Sequence, residues 1–412
     1  MEHGANINKE GSDGYTPLLY ACQKGHITIL KYLVEQGADI NKEAKDGTTA
    51  LREACWNENL NLVEYLVEHG LDINKENNNG FTPLFNACQE GHIPVVKYLI
   101  DHGADINKKS INGVTPLFDA CASGNLDFVK YLVEHGADIH RESDSGITPL
   151  FKACSKGHIL IVKYLVGLGA DINKQDKNGE TPLFNACLNG DLNLVKYLIK
   201  HKLDINKENE NGWNPLFNAC LNGHITVVKY LVKKKANINK EDQIGDTPLF
   251  YACRKGHEDI VKYLVKHGAD INKENNNGFT PLFCACKDGN KTIIEHLVER
   301  GANVNKSNND GVTPLFNVCE KGNEVLVKYL VRRGADIKKE NNRGETLLFD
   351  ACRGGNLDLI KYLIEQGLDI HKENKYNATP LFIACFNGYF PIVKYLVEHG
   401  ANVNKEDHQG TF

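Results

Sequence analysis

Residues 80–112 read GFTPLFNACQEGHIPVVKYLIDHGADINKKSIN. Thr82 stands where a helix N-cap is expected, its hydroxyl accepting from an unpaired backbone N–H. Pro83 follows at the first helical position, where its missing donor costs nothing. A helix is therefore predicted to start at Pro83. Leu84, Ala87 and Cys88 recur at helical spacing as a narrow apolar stripe, and Gly91 stops the helix after about two turns. His92 occupies a slot filled elsewhere by Asn125, Asp191, Asn290, Asn323 and Asn356, which are good N-caps, so a second helix begins there. Val95, Val96, Leu99 and Ile100 supply its buried stripe, and Gly103 suits a left-handed C-cap. The polar run Asp105 to Gly113 is turn chemistry. The unit reads helix, turn, helix, extended turn.

That unit recurs. Twelve cysteines, from Cys22, Cys55 and Cys88 to Cys385, stand 33 residues apart. Leu18 to Leu381 keep the same interval, as do Gly14 to Gly344, with Asn377 in the twelfth place and Gly410 closing the count. A fixed period of this size means a solenoid in which each unit stacks on its neighbours. Residues 1–412 are read as a single domain: a partial unit at 1–12, twelve full units over 13–408 (numbered here as repeats) and a partial unit at 409–412. No polar capping unit closes either end, so Leu18, Cys22, Ile29 and Leu33, and likewise Leu381, Cys385 and Leu396, are expected to lack cover, as in a piece of a longer array.

The pattern DG-x-TPLF-x-AC-x-x-GH-x-x-x-VKYLV-x-x-GADINK resembles the ankyrin repeat, with TPLF replacing that family's usual TPLH. The resemblance covers nearly the whole chain. It implies an all-α, ankyrin-type solenoid of helix-turn-helix units with hairpin-like turns, in a curved right-handed stack about 110 Å long at roughly 10 Å per unit. The family's histidine links neighbouring repeats by hydrogen bonds. Phe85, Phe118 and Phe151 contribute only packing, so a more apolar seam is expected.

Composition narrows the function classes. A net charge of −5 from 48 basic and 53 acidic residues gives no bulk positive field, which speaks against nucleic acid and anionic membranes. No apolar run reaches the roughly 18 residues of a membrane span, and MEHGANINKEGSDG has no signal core. Membrane insertion is not expected, and a cytoplasmic place is, with the nucleus as alternative. Cysteines on stacked helices about 8–10 Å apart lie beyond disulfide reach. They are read as small buried thiols, with Cys284 the candidate for a reactive one. The lone CxC at Cys284 and Cys286 lacks a companion pair, so no metal site is expected. Histidines fall in periodic slots, and no catalytic constellation or phosphate loop appears. A non-enzyme without cofactor is the reading.

What varies is the surface of the turn tips and first helices, which arrays of this family turn to the concave side where protein partners bind. The contact residues expected there are Trp56, Phe81, Asn185, Leu188, Trp213, Asn218, Leu221, Phe279 and Phe386, with Leu188, Trp213 and Leu221 as an apolar centre flanked by asparagines. Trp213 folding over its neighbour's turn is the plain structural alternative. At the ends of the second helices, Lys200, Lys202, Lys233, Lys234, Lys235, Arg332 and Arg333 make a basic ridge for an acidic partner. Lys202 and Lys235 replace the C-capping glycine, a strained choice. Repeat two (residues 46–78) lacks the proline and puts Arg52 in the Phe slot and Glu58 in the Gly slot. It is either a soft point or a contact through Arg52, Glu53 and Trp56. The function expected is an interaction scaffold for a protein partner. The alternative is a structural spacer or an end-to-end self-associating segment.

Overall fold

The computed structural model describes residues 6–404. Residues 1–5 and 405–412, among them the closing Gly410, Thr411 and Phe412, lie outside the described residues. Among the described residues there are 24 helices and no strand. They form pairs, from Pro17–Gln23 with Ile27–Glu35 to Pro380–Phe386 with Phe390–Glu398. In repeat three the helices cover Pro83–Glu90 and Ile93–Asp101, as the punctuation requires. Gly91 and Gly103 take left-handed φ values of 75° and 90°. The chain divides into two compact units between Asp204 and Ile205. Within each, first helices pack broadly on the first helices of adjoining repeats, and second helices touch one another less. Ala87 and Cys88 are fully buried, and their small side chains permit that close approach. Phe85, Phe118 and Phe151, each 2% exposed, fill the seam.

Three expectations need correction. The Thr82 hydroxyl has no partner, although Thr16, Thr148 and Thr280 each accept from a backbone N–H at 3.3 Å. Pro83 presets the first turn, so the helix starts in place without that bond. The seam, secondly, is not merely apolar. His92 does not cap its own helix; its Nε2 lies 3.0 Å from the Trp56 carbonyl one repeat back. His158 and His257 make the same reach, to Ala122 and Leu221 at 3.0 and 3.1 Å. Asn356 does both jobs, accepting from Leu359 N–H and donating to the Gly322 carbonyl. Thirdly, Leu18, Cys22, Leu381 and Leu396 are buried and Leu33 is half-buried, leaving Ile29 and Cys385 exposed as expected.

The polar turns are also fastened across repeats. Asn74 Oδ1 accepts from Asp105 N–H at 2.7 Å while its Nδ2 donates to the Gly103 carbonyl at 3.0 Å, one repeat on. Asn272 clips Asn303 and Gly301 in the same way. Ion pairs such as Lys75–Glu43 and Lys273–Glu241 run alongside.

Lys202 and Lys235 adopt φ of 66° and 67°. A Cβ in this region costs about 1–2 kcal/mol, so Lys235→Gly is expected to stabilise its repeat by about 1 kcal/mol. Slower amide exchange in the adjoining helix Ile225–Lys233 would register it; unchanged exchange would show that the lysine is not strained.

Candidate functional site

Each repeat offers three variable positions: the tip residue after the glycine, one on the first helix after the phenylalanine, and one after the cysteine. The structure pulls most of the expected aromatic anchors inward. Phe81 packs edge-on against Phe85 at 5.0 Å, and Phe279 leans on Phe283 at 4.6 Å. Trp213 stacks on Phe217 at 5.4 Å, meets Tyr251 edge-on at 5.0 Å, and donates its indole N–H to Asp242 at 3.3 Å. The Tyr251 hydroxyl donates to the same carboxylate at 2.8 Å. The reason is spacing: a tip aromatic four residues before the buried phenylalanine lies over its ring. Trp56, Asn185 and Leu221 are half-buried and Asn218 is buried. Leu188 and Phe386 are the exposed members, at 42% and 84%. Asn185 and Leu188 belong to the first unit, and Trp213, Asn218 and Leu221 to the second.

In repeat two the first helix shrinks to Ala50–Ala54. Its deviant side chains face inward bonds: Arg52 donates to Thr48 Oγ1 at 2.8 Å, and Glu53 accepts from the Tyr15 hydroxyl at 2.9 Å. The basic positions Lys200, Lys202, Lys233, Lys234, Lys235, Arg332 and Arg333 are all exposed. Lys234 lies 5.7 Å from the Tyr230 ring, and Arg333 sits over Tyr329 and 3.8 Å from Glu299. Cys284 is buried, and burial pushes its thiol up to about 11, against the opposing pull of Arg254. A thiol both buried and held that far from its thiolate sits in the environment of an inert structural cysteine, not the accessible, electropositive one that a reactive thiol needs.

A groove not expected from the sequence lies in the second unit, where repeats nine to eleven enclose about 440 Å³. Of the expected contacts, Phe279 alone lines it. At one end Arg353 donates to Glu345 at 2.7 Å and to Asp350 at 2.6 Å. Asn341 and Asn374 also donate to Glu345. Burial works against the Glu345 charge, but these bonds hold its carboxyl below the usual range. Burial pushes Asp350 up to about 7, with Arg353 opposing. Repeat eight carries the matching clasp, Arg254 to Asp246 at 2.8 Å, with Asn275 donating to Asp246 at 2.7 Å. The signal was present in the sequence. Only repeats eight and eleven have an acidic tip followed eight residues later by arginine.

Among the described residues no cluster of three or more metal-binding side chains occurs, and no helix is long and apolar enough to cross a membrane. Uniform helical hairpins in one phase, with a polar-edged groove across their first helices and tips, define a helical repeat solenoid. The family of Ankyrin repeats (3 copies) matches in overlapping windows from residues 1–77 through 150–242 and 234–308 to 315–407. The chain belongs to the ankyrin-repeat family, whose members are generally protein–protein interaction modules and typically not enzymes. Comparison with curated proteins gives no match.

Proposed function

We propose that this chain is a non-enzymatic, intracellular interaction scaffold that receives a protein partner on the face of tips and first helices, the concave one in this family. The groove across repeats nine to eleven carries the reading, because a pre-ordered surface spares the chain entropy that binding otherwise costs. Val312→Arg, at the rim of the groove, is expected to abolish capture of the native partner, while Lys361→Glu on a second helix leaves it intact. Equal capture by both variants would sink the proposal. The basic ridge is assigned to an acidic region of the partner. Reversing Lys233, Lys234 and Lys235 to Glu is then expected to weaken binding about tenfold at low salt, with the difference shrinking as salt rises. A salt-independent or absent change would remove the ridge from the interface.

A second reading, self-association, is favoured by Phe386 and Phe390, which are 84% and 72% exposed in repeat twelve. Light scattering over a concentration series tests it, since Phe386→Glu with Phe390→Glu would then restore the monomer mass.

A further inference from the structure

The ends of the second helices carry charge in two blocks. In the first unit, repeats one to four finish on Glu35, Glu68, Asp101 and Glu134, each the last residue of its helix and each exposed. In the second unit, repeats seven to ten place cations at the same edge: Lys233 to Lys235, Lys266, Arg300, and Arg332 with Arg333. Glu299, the one acid among them, lies 3.8 Å from Arg333.

A cation suits the negative end of a helix dipole, so the basic block is favourable where it stands. A carboxylate at that end opposes the dipole, and four successive repeats make the same choice. The cations that could offset it locally are engaged elsewhere. Lys31 and Lys97, one turn before Glu35 and Asp101, sit over the Tyr65 and Tyr131 rings of the next repeat at 5.2 Å. Lys130 pairs with Asp127 at 3.2 Å rather than with Glu134, and Glu68 has another acid, Glu64, one turn back. A row of carboxylates that works against its own helices and is left unpaired calls for cations from outside. The chain itself carries them. Repeats recur at about 10 Å, roughly one Debye length at 0.1 M salt, so both blocks present charge at one pitch and meet in register. An unrelated basic surface would match that pitch by chance; another copy matches it by construction.

We infer that the acidic edge of repeats one to four docks on the basic edge of repeats seven to ten of a second copy of this chain, in a salt-sensitive self-association. The inference rests on assigning the ridge to an acidic surface, and names that surface as the chain's own first unit. None of these side chains lines the groove, so the two contacts do not compete. Phe386 and Phe390 take no part in it.

Sedimentation equilibrium of the full chain at about 0.02 M and about 0.5 M salt tests this. Association is expected at low salt and should weaken about tenfold or more at high salt, because each exposed pair is weak and screened. Glu35→Lys, Glu68→Lys, Asp101→Lys and Glu134→Lys together give an acid-reversed chain. Lys233→Glu, Lys234→Glu, Lys235→Glu, Arg332→Glu and Arg333→Glu give a base-reversed one. Each alone should stay monomeric at low salt, and their equimolar mixture should regain the association of the parent. The substituted side chains are all exposed, and far-UV circular dichroism confirms that each variant is folded. A parent that is monomeric at low salt, an association that salt leaves unmoved, or a mixture of folded variants that stays monomeric overturns the inference. If Lys233→Glu with Lys234→Glu and Lys235→Glu still weakens capture of the native partner in that case, the ridge assignment stands alone; if capture is unchanged, both fall.

Discussion

Replacing Gly354 by alanine is expected to destabilise repeats ten and eleven by about 3 kcal/mol, near the top of what an extra buried methyl costs. Gly354 closes the first helix of repeat eleven, Leu347–Gly354. A Cβ built there would lie 2.8 Å from the Cys319 carbonyl oxygen and closer still to that of Glu320, on the first helix of repeat ten. Both atoms are backbone, so no side chain can swing away. The two helices must part, and with them Glu320 and Arg353 on either side of the groove. Amide exchange in Pro314–Glu320 and Leu347–Gly354 should quicken accordingly. Asp288→Ala, at the same position two repeats earlier, should stay within about 0.5 kcal/mol. If Gly354→Ala were as mild as that control, the close approach of the two helices would not constrain the fold.

The second large effect concerns Asp119, at the slot after the phenylalanine in repeat four. Burial raises its carboxyl to about 6, with Lys152 pulling the other way. Its unfolded value is near 3.9, so the folded state binds the proton more tightly than the unfolded chain does. Stability linked to this group is therefore highest below pH 4, falls as pH rises from about 4 to about 6, and stays reduced above that. Asp119→Asn removes the buried charge. The variant is expected to exceed the parent by about 2–3 kcal/mol at pH 8, with the two converging at pH 4. A pH-independent difference would mean that the carboxylate is solvated in the native state.

The helices were legible because their punctuation is local. Pro83, Gly91 and Gly103 act on the backbone within one turn, and the 33-residue recurrence repeats each reading twelve times. The strained φ of Lys202 and Lys235 was legible for the same reason. What the sequence concealed depends on the neighbouring repeat. His92 could be placed in its slot, but its reach to Trp56 O needs the stacking distance. The clip made by Asn74 looks like ordinary turn chemistry until Gly103 and Asp105 stand beside it. Trp213 reads as an exposed anchor because nothing local shows Tyr251 and Asp242 meeting it from repeat eight and the preceding turn. Gly354 looks dispensable, since other repeats carry lysine or asparagine in its place, and only the approach of Cys319 and Glu320 reveals the constraint.

The cysteine ladder has a consequence for observing this molecule at work. Cys22 is buried and its thiol is pushed up to about 12, burial being the main cause, and burial likewise raises the thiols of Cys88, Cys253 and Cys319 well above the ordinary value. Cys385 is the exposed one. An alkylating reagent therefore meets one ready site, and every later adduct records the opening of the repeat that carries it. With a thiol at each step of the array, the protein keeps its own position-stamped record of where it has breathed.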